Sequence, residues 1–155
     1  MSSVVYNPDK TQLYSGGYDH SVRIWDVESA SNTATMNCEC VILDMDHSLS
    51  SGLLVSGHSD NLLRVWDPRM QDGLVVKMRF AGHRNWVSSV SWSPSSMFML
   101  ASASYDGAVK VWDIRSSTSM FSMKSANESK LLAVDWKDDL LAAGGEDGQL
   151  YLFAA

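Results

Sequence analysis

Apolar and polar residues alternate strictly in four short stretches, each beginning just after an aspartate. The alternating apolar pairs are Val22 and Ile24, Leu63 and Val65, Val109 and Val111, and Leu150 and Leu152. Period-two alternation predicts a strand with one face buried. The aspartates are Asp19, Asp60, Asp106 and Asp147, separated by 41, 46 and 41 residues. An aromatic follows each by six residues: Trp25, Trp66, Trp112 and Phe153. Small residues precede each aspartate, as in "SASYDGAVKVWD" (Ser102–Asp113). The sequence therefore predicts strand, tight turn and strand, four times over.

A second piece precedes each hairpin: "VVYNP" (Val4–Pro8), "LDMDH" (Leu43–His47), "VSWSP" (Val90–Pro94) and "VDWKD" (Val134–Asp138). Each reads as a short strand closed by a turn. A looser fourth strand is expected near Thr33–Asn37, Val75–Phe80 and Met120–Lys124. Four short antiparallel strands in units of about 40–45 residues make the pattern of a β-propeller blade. The repeats fall at approximately 1–36, 37–80, 81–124 and 125–155. The fold class is all-β, a propeller segment of four four-stranded blades.

The chain resembles the WD-repeat family over its whole length, on the strength of four hairpins in phase. In that family a His before the first strand, a Ser or Thr in the second, the turn Asp and the Trp of the third form a hydrogen-bonded chain. The third repeat matches the full set with His83, Ser102, Asp106 and Trp112. A carboxylate at a blade end needs such partners, because a buried unpaired charge is costly. The first two repeats keep Ser15, Asp19 and Trp25, then Ser56, Asp60 and Trp66, without a preceding Gly-His. Of the set, the fourth retains Asp147. The resemblance also implies a ring of seven blades, of which these would be the C-terminal part. On that reading the end at "LYLFAA" marks a propeller end, and the start at Met1 marks a cut.

Composition narrows the function. The chain has 155 residues, 45% hydrophobic and 19% charged, which is a globular composition. A net charge of -6 argues against direct nucleic-acid binding, which calls for a basic stripe. No apolar run approaches a membrane span, and no signal peptide is visible at the N-terminus. Cys38 and Cys40 are too close for an easy disulfide, which fits a reducing compartment. No second ligand cluster completes a metal site with them and His47. Ser, His and Asp recur in degraded form, with no nucleophile elbow or oxyanion loop. No enzyme activity, cofactor or metal is expected.

Four stretches carry a narrower resemblance: "YSGGYDHSVRIWDVES" (Tyr14–Ser29), "RVWDPRMQDG" (Arg64–Gly73), "HRNWVSSVSWSP" (His83–Pro94) and "KLLAVDWKDDLLAAGGEDGQLYLF" (Lys130–Phe153). They are similar to the WD-repeat subunits of pescadillo-containing complexes, which assemble the large ribosomal subunit in the nucleolus. The resemblance implies a non-catalytic scaffold in the nucleus, nucleolus and nucleoplasm. Its implied partners are a second WD-repeat subunit and a pescadillo-type protein. That family also carries an N-terminal ubiquitin-like domain that engages a AAA ATPase, and no such domain lies in this sequence. An alternative reading comes from "WDPR" and "WDIR": Arg69 and Arg115 would contact the adaptor of a cullin-RING ubiquitin ligase, as WDxR boxes of substrate receptors do.

Loops before the first strands and turns bearing Asp emerge on one propeller face. The partner-binding candidates there are Trp86, Arg84, Asn85, Tyr105, Tyr18, His20 and Lys130, with Glu39, Ser59, Asn61 and Glu146 nearby. Trp86 is the strongest anchor, since Trp and Arg dominate interface hot spots. Packing of Trp86 under its own strand is the competing expectation.

Overall fold

The computed structural model describes residues 1–69 and 75–154. The end of the Arg64–Gly73 stretch therefore lies outside the described residues. The described chain is all-β, with 15 strands in four antiparallel sheets. Blade 1 comprises β1 (Ser3–Tyr6), β2 (Gln12–Gly16), β3 (Ser21–Asp26) and β4 (Ser31–Asn37). Blade 2 comprises β5 (Ile42–His47), β6 (Leu54–His58), β7 (Leu62–Asp67) and β8 (Val75–Ala81). Blade 3 comprises β9 (Val87–Trp92), β10 (Met99–Ser104), β11 (Ala108–Asp113) and β12 (Ser119–Lys124). Blade 4 comprises β13 (Leu131–Lys137), β14 (Leu140–Gly145) and β15 (Leu150–Ala154). Among the described residues blade 4 carries three strands rather than the expected four. The arrangement is that of a partial propeller.

The turn that joins the second and third strands is the same in all four blades. The residue after the turn aspartate has a positive φ each time: His20 (62°), Asn61 (69°), Gly107 (75°) and Gly148 (73°). Glycine adopts that region freely, whereas His20 and Asn61 carry a Cβ there. The aspartate side chain completes the turn by accepting the N–H two residues on, from Leu62, Ala108 and Gln149 at 3.3, 3.0 and 3.1 Å.

The alternating apolar positions build three cores, one at each junction between consecutive blades. Tyr14, Val22 and Ile24 of blade 1 meet Ile42, Met45, Leu54 and Trp66 of blade 2. Val55, Leu63, Val65 and Phe80 of blade 2 meet Val90, Trp92, Leu100 and Trp112 of blade 3. Val109 and Val111 of blade 3 meet Val134, Trp136 and Leu141 of blade 4. Close approach demands glycine at Gly57, where a Cβ would lie 2.9 Å from both Cγ1 and O of Val87.

The first strands β1, β5, β9 and β13 lie side by side, and polar side chains stitch them together. Asp44 Oδ1 accepts from Ser3 Oγ of blade 1 (2.9 Å). Its Oδ2 accepts from Ser89 Oγ and Val90 N of blade 3 (2.8 and 3.0 Å). Asp46 Oδ2 accepts from Trp92 N at 2.7 Å. Between blades 3 and 4, Ser89 Oγ accepts from Val134 N at 3.3 Å. These side chains satisfy backbone N–H groups of the first strands that would otherwise be left unpaired between blades.

Candidate functional site

Blade 3 contains the complete hydrogen-bonded set. Trp112 Nε1 donates to Ser102 Oγ at 2.8 Å, and Ser102 Oγ lies 2.7 Å from His83 Nε2. His83 Nδ1 donates to Asp106 Oδ2 at 3.0 Å. The same carboxylate accepts Arg84 N at 2.8 Å. Ser102 and Trp112 are fully buried, and His83 packs its ring edge-on to Trp112 with centroids 6.1 Å apart. Burial alone would raise the Asp106 carboxyl. The bonds from His83 and Arg84 outweigh it and hold the group well below the usual carboxylate range. The set is therefore a satisfied brace between the chain entering blade 3 and its central hairpin.

The other blades solve the same problem differently. In blade 1, Trp25 Nε1 donates to Ser15 Oγ at 2.8 Å, and Asp19 pairs with Arg23 at 2.7 Å. In blade 2, Trp66 Nε1 donates to Ser56 Oγ, and His58 Nε2 meets the same oxygen, both at 2.7 Å. His58 is fully buried and takes the place of the absent Gly-His histidine from within β6. Burial, followed by the Arg64 charge, pushes its pKa down to about 3. Asp60 forms a two-pronged pair with Arg64, at 3.1 and 2.6 Å. In blade 4, Asp147 accepts from Tyr151 OH at 2.6 Å. So where no histidine reaches the turn aspartate, the residue four positions on does.

The rim beside this brace is ordered by the brace itself. Arg84, Asn85 and Trp86 sit between β8 and β9. Their loop is pinned by Asp106 on Arg84 N and by Ser104 Oγ donating to Asn85 O (3.0 Å). Asn85 Oδ1 accepts Trp86 N at 2.8 Å. Trp86 is 41% exposed and stacks on Tyr105, with centroids 5.9 Å apart. Tyr105 N donates to Trp86 O at 3.0 Å. Lys130 Nζ sits 5.9 Å over the other ring, Tyr105, and pairs with Glu146 at 3.2 Å. Trp86, Tyr105 and Lys130 thus form one platform across blades 3 and 4. Tyr18, 63% exposed, and His20 project from the blade 1 turn, with blade 2 between them and that platform.

Arg69 and Arg115 follow the Trp-Asp of blades 2 and 3. Each folds back on the aspartate two residues earlier. Arg69 Nε and Nη2 donate to Asp67 at 2.8 and 2.9 Å. Arg115 Nε and Nη2 donate to Asp113 at 2.9 and 2.6 Å. Arg115 also lies 4.3 Å over the Phe98 ring. Both side chains remain about two-thirds exposed, at 64% and 65%.

The WD40 family model, described as "WD domain, G-beta repeat", matches residues 1–26, 31–67 and 74–113. The chain belongs to the WD40 family. The match runs from β1 to β11, and β12 and blade 4 lie beyond it. Among curated proteins, the chain is 43% identical over 99% of its length to a "Ribosome biogenesis protein WDR12 homolog" of Nematostella vectensis. It is 40% identical over 96% of its length to the protein of that name in Oryza sativa subsp. japonica, and 38% over 97% to that in Arabidopsis thaliana. Those matches cover 37%, 34% and 35% of the relatives, so the chain spans about a third of their length.

Two features of this WD40 chain escape a motif-based reading. His58 lies two residues after Ser56, and side chains at i and i+2 of a strand share a face. Ser-x-His inside a second strand was the available signal. The aspartate partners Arg23, Arg64 and Tyr151 all stand four residues after their aspartate, again on one face. Among the described residues no cluster of three metal-ligating side chains occurs. Cys40 approaches His58 Nδ1 at 4.0 Å, and burial pushes its thiol up to about 11.

Proposed function

We propose that this chain is a non-catalytic interaction scaffold that acts in large ribosomal subunit assembly and pre-rRNA maturation. The observation that carries the reading is the identity of 38–43% to ribosome biogenesis proteins, spread over at least 96% of the chain. Its partners are other proteins of a pre-ribosomal complex, among them a second WD-repeat subunit and a pescadillo-type protein, in the nucleolus and nucleoplasm. Trp86, Tyr105 and Lys130 form the main contact platform, flanked by Arg84 and Asn85, with Tyr18 and His20 as an outlying contact. A half-exposed Trp held rigid by stacking loses little entropy on binding, as a hot spot requires. The net charge of -6 favours protein partners over bare RNA.

The ubiquitin-ligase reading asks Arg69 and Arg115 to contact an adaptor. Both guanidinium groups are already engaged by Asp67 and Asp113, so adaptor binding would compete with those pairs. Affinity capture from cells separates the two readings. Tagged protein should co-purify large-subunit precursor RNA with a pescadillo-type protein. Recovery of a ligase adaptor without precursor RNA would overturn the proposal.

A further inference from the structure

In three blades the residue four positions after the turn aspartate is spent on it: Arg23 on Asp19, Arg64 on Asp60 and Tyr151 on Asp147. In blade 3 that residue is Lys110. There His83 already holds Asp106, and Arg84 N and Ala108 N donate to the same carboxylate. Lys110 is in no ion pair among the described residues and instead donates to Ser122 Oγ at 3.0 Å. The histidine brace thus releases a cation at the rim of blade 3.

That cation lines a cavity of about 340 Å³ on the flank of blade 3, together with Arg84 and Lys124. Lys110 pairs with Ser122, and Ala108 with Lys124, in the β11–β12 register, so the two strands present Lys110 and Lys124 on one face. Arg84 reaches the same cavity from the β8–β9 loop, and its exposed guanidinium is in no ion pair among the described residues. Of the two carboxylates there, Asp106 is turned inward, with its side chain 10% exposed. Glu128 is held below the usual carboxylate range by its bond to Lys124, with a weaker pull from Arg84. Arg84 and Lys110 are therefore left without a carboxylate partner in a chain of net charge -6.

We propose that this cavity receives the acidic side chains of a partner protein segment, whose carboxylates pair with Arg84 and Lys110. A guanidinium presents a fork of donors that matches a carboxylate, and an ammonium adds a compact point charge. Arg84 N is fixed on Asp106, so the loop is already in place and binding orders little beyond two side chains. A short acidic segment brings its charge to the cavity alone, where screening confines the interaction to its neighbours. A nucleic-acid backbone carries its charge past the cavity and along a surface of net negative charge, which opposes it. The proposal deepens the reading of this rim as a contact surface and rests on it. Arg84 stands two residues from Trp86, so an apolar anchor on Trp86 and acidic residues in the cavity can belong to one partner segment.

The test uses the uniformly ¹⁵N-labelled chain and two capped tetrapeptides, Gly-Glu-Glu-Gly and Gly-Gln-Gln-Gly, with hexauridylate as the nucleic-acid comparison. The Arg84 Nε–H signal and the Lys110 and Lys124 amides report on the cavity. Gly-Glu-Glu-Gly should shift them saturably and bind about ten-fold more tightly than the glutamine peptide, which keeps the shape and loses both charges. Arg84→Gln and Lys110→Met, the second keeping the apolar stem, should each weaken binding about five-fold and leave the melting temperature unchanged. Trp86→Ala should bind the peptide as the wild type does, which scores the cavity separately from the platform; failure of the platform would show instead as undiminished partner capture by Trp86→Ala in cells. Equal binding of the glutamine peptide, tighter binding of hexauridylate, or full binding by both charge variants would each overturn the inference.

Discussion

Replacing Ser56 by alanine removes one hydroxyl from the interior of blade 2. Two buried groups lose their partner: Trp66 Nε1 and His58 Nε2, each 2.7 Å from that oxygen. Trp66 and His58 are 1% and 0% exposed, so water cannot take over. Leaving a buried donor or acceptor unpaired costs about 1–3 kcal/mol, which puts Ser56→Ala at about 3 kcal/mol. Ser102→Ala should cost about the same, again about 3 kcal/mol, since Trp112 and His83 lose equivalent bonds. Ser15→Ala differs. Only Trp25 Nε1 loses a partner, and Trp25 is half-buried, so the cost is about 1 kcal/mol. Urea unfolding followed by tryptophan fluorescence measures all three. With a urea slope of about 2 kcal/mol/M, the midpoint should fall by about 1.5 M for Ser56→Ala and Ser102→Ala, and by about 0.5 M for Ser15→Ala. A motif reading groups Ser56 with Ser15, because both lack Gly-His. If Ser56→Ala unfolds like Ser15→Ala, His58 does not replace the missing histidine and the reasoning fails.

Three more outcomes follow from the geometry. His20→Gly should stabilise the chain by about 1 kcal/mol, since φ of 62° costs a Cβ-bearing residue and not glycine; an unchanged or lower urea midpoint contradicts this. His58 has its folded pKa lowered to about 3 from 6.5, so the unfolded chain binds the extra proton, and stability falls as pH drops below 6.5. Between pH 7 and pH 5 that loss is about 2 kcal/mol, at about 1.4 kcal/mol per pH unit below 6.5. His58→Gln should flatten the pH dependence, and an unflattened profile would assign the loss elsewhere. Asp106→Ala should loosen blade 3 and the Arg84–Trp86 loop together, visible as faster amide exchange at Arg84 and Ala108, whose N–H groups it binds; exchange unchanged at both would refute the brace.

The repeat was legible because it rests on residue types with local physical reasons: turn aspartates, small residues before them, period-two apolar pairs. The complete set of blade 3 could be assigned residue by residue from its resemblance. What stayed hidden depends on two strands meeting. Nothing in "LDMDH" announces that Asp44 and Asp46 cap the N–H groups of β9, because the partner strand lies more than forty residues away. The stacking of Trp86 on Tyr105 likewise needs the β8–β9 loop and the β10–β11 turn to share an edge.

The scaffold account rests most directly on the Trp86 platform. Trp86→Ala, introduced into the full-length protein in cells, should leave thermal melting within about 1 °C of wild type. It should also reduce co-purified pescadillo-type protein and large-subunit precursor RNA at least ten-fold. Undiminished capture, or a loss of capture matched by an early melt, would contradict the assignment of that rim as the contact surface.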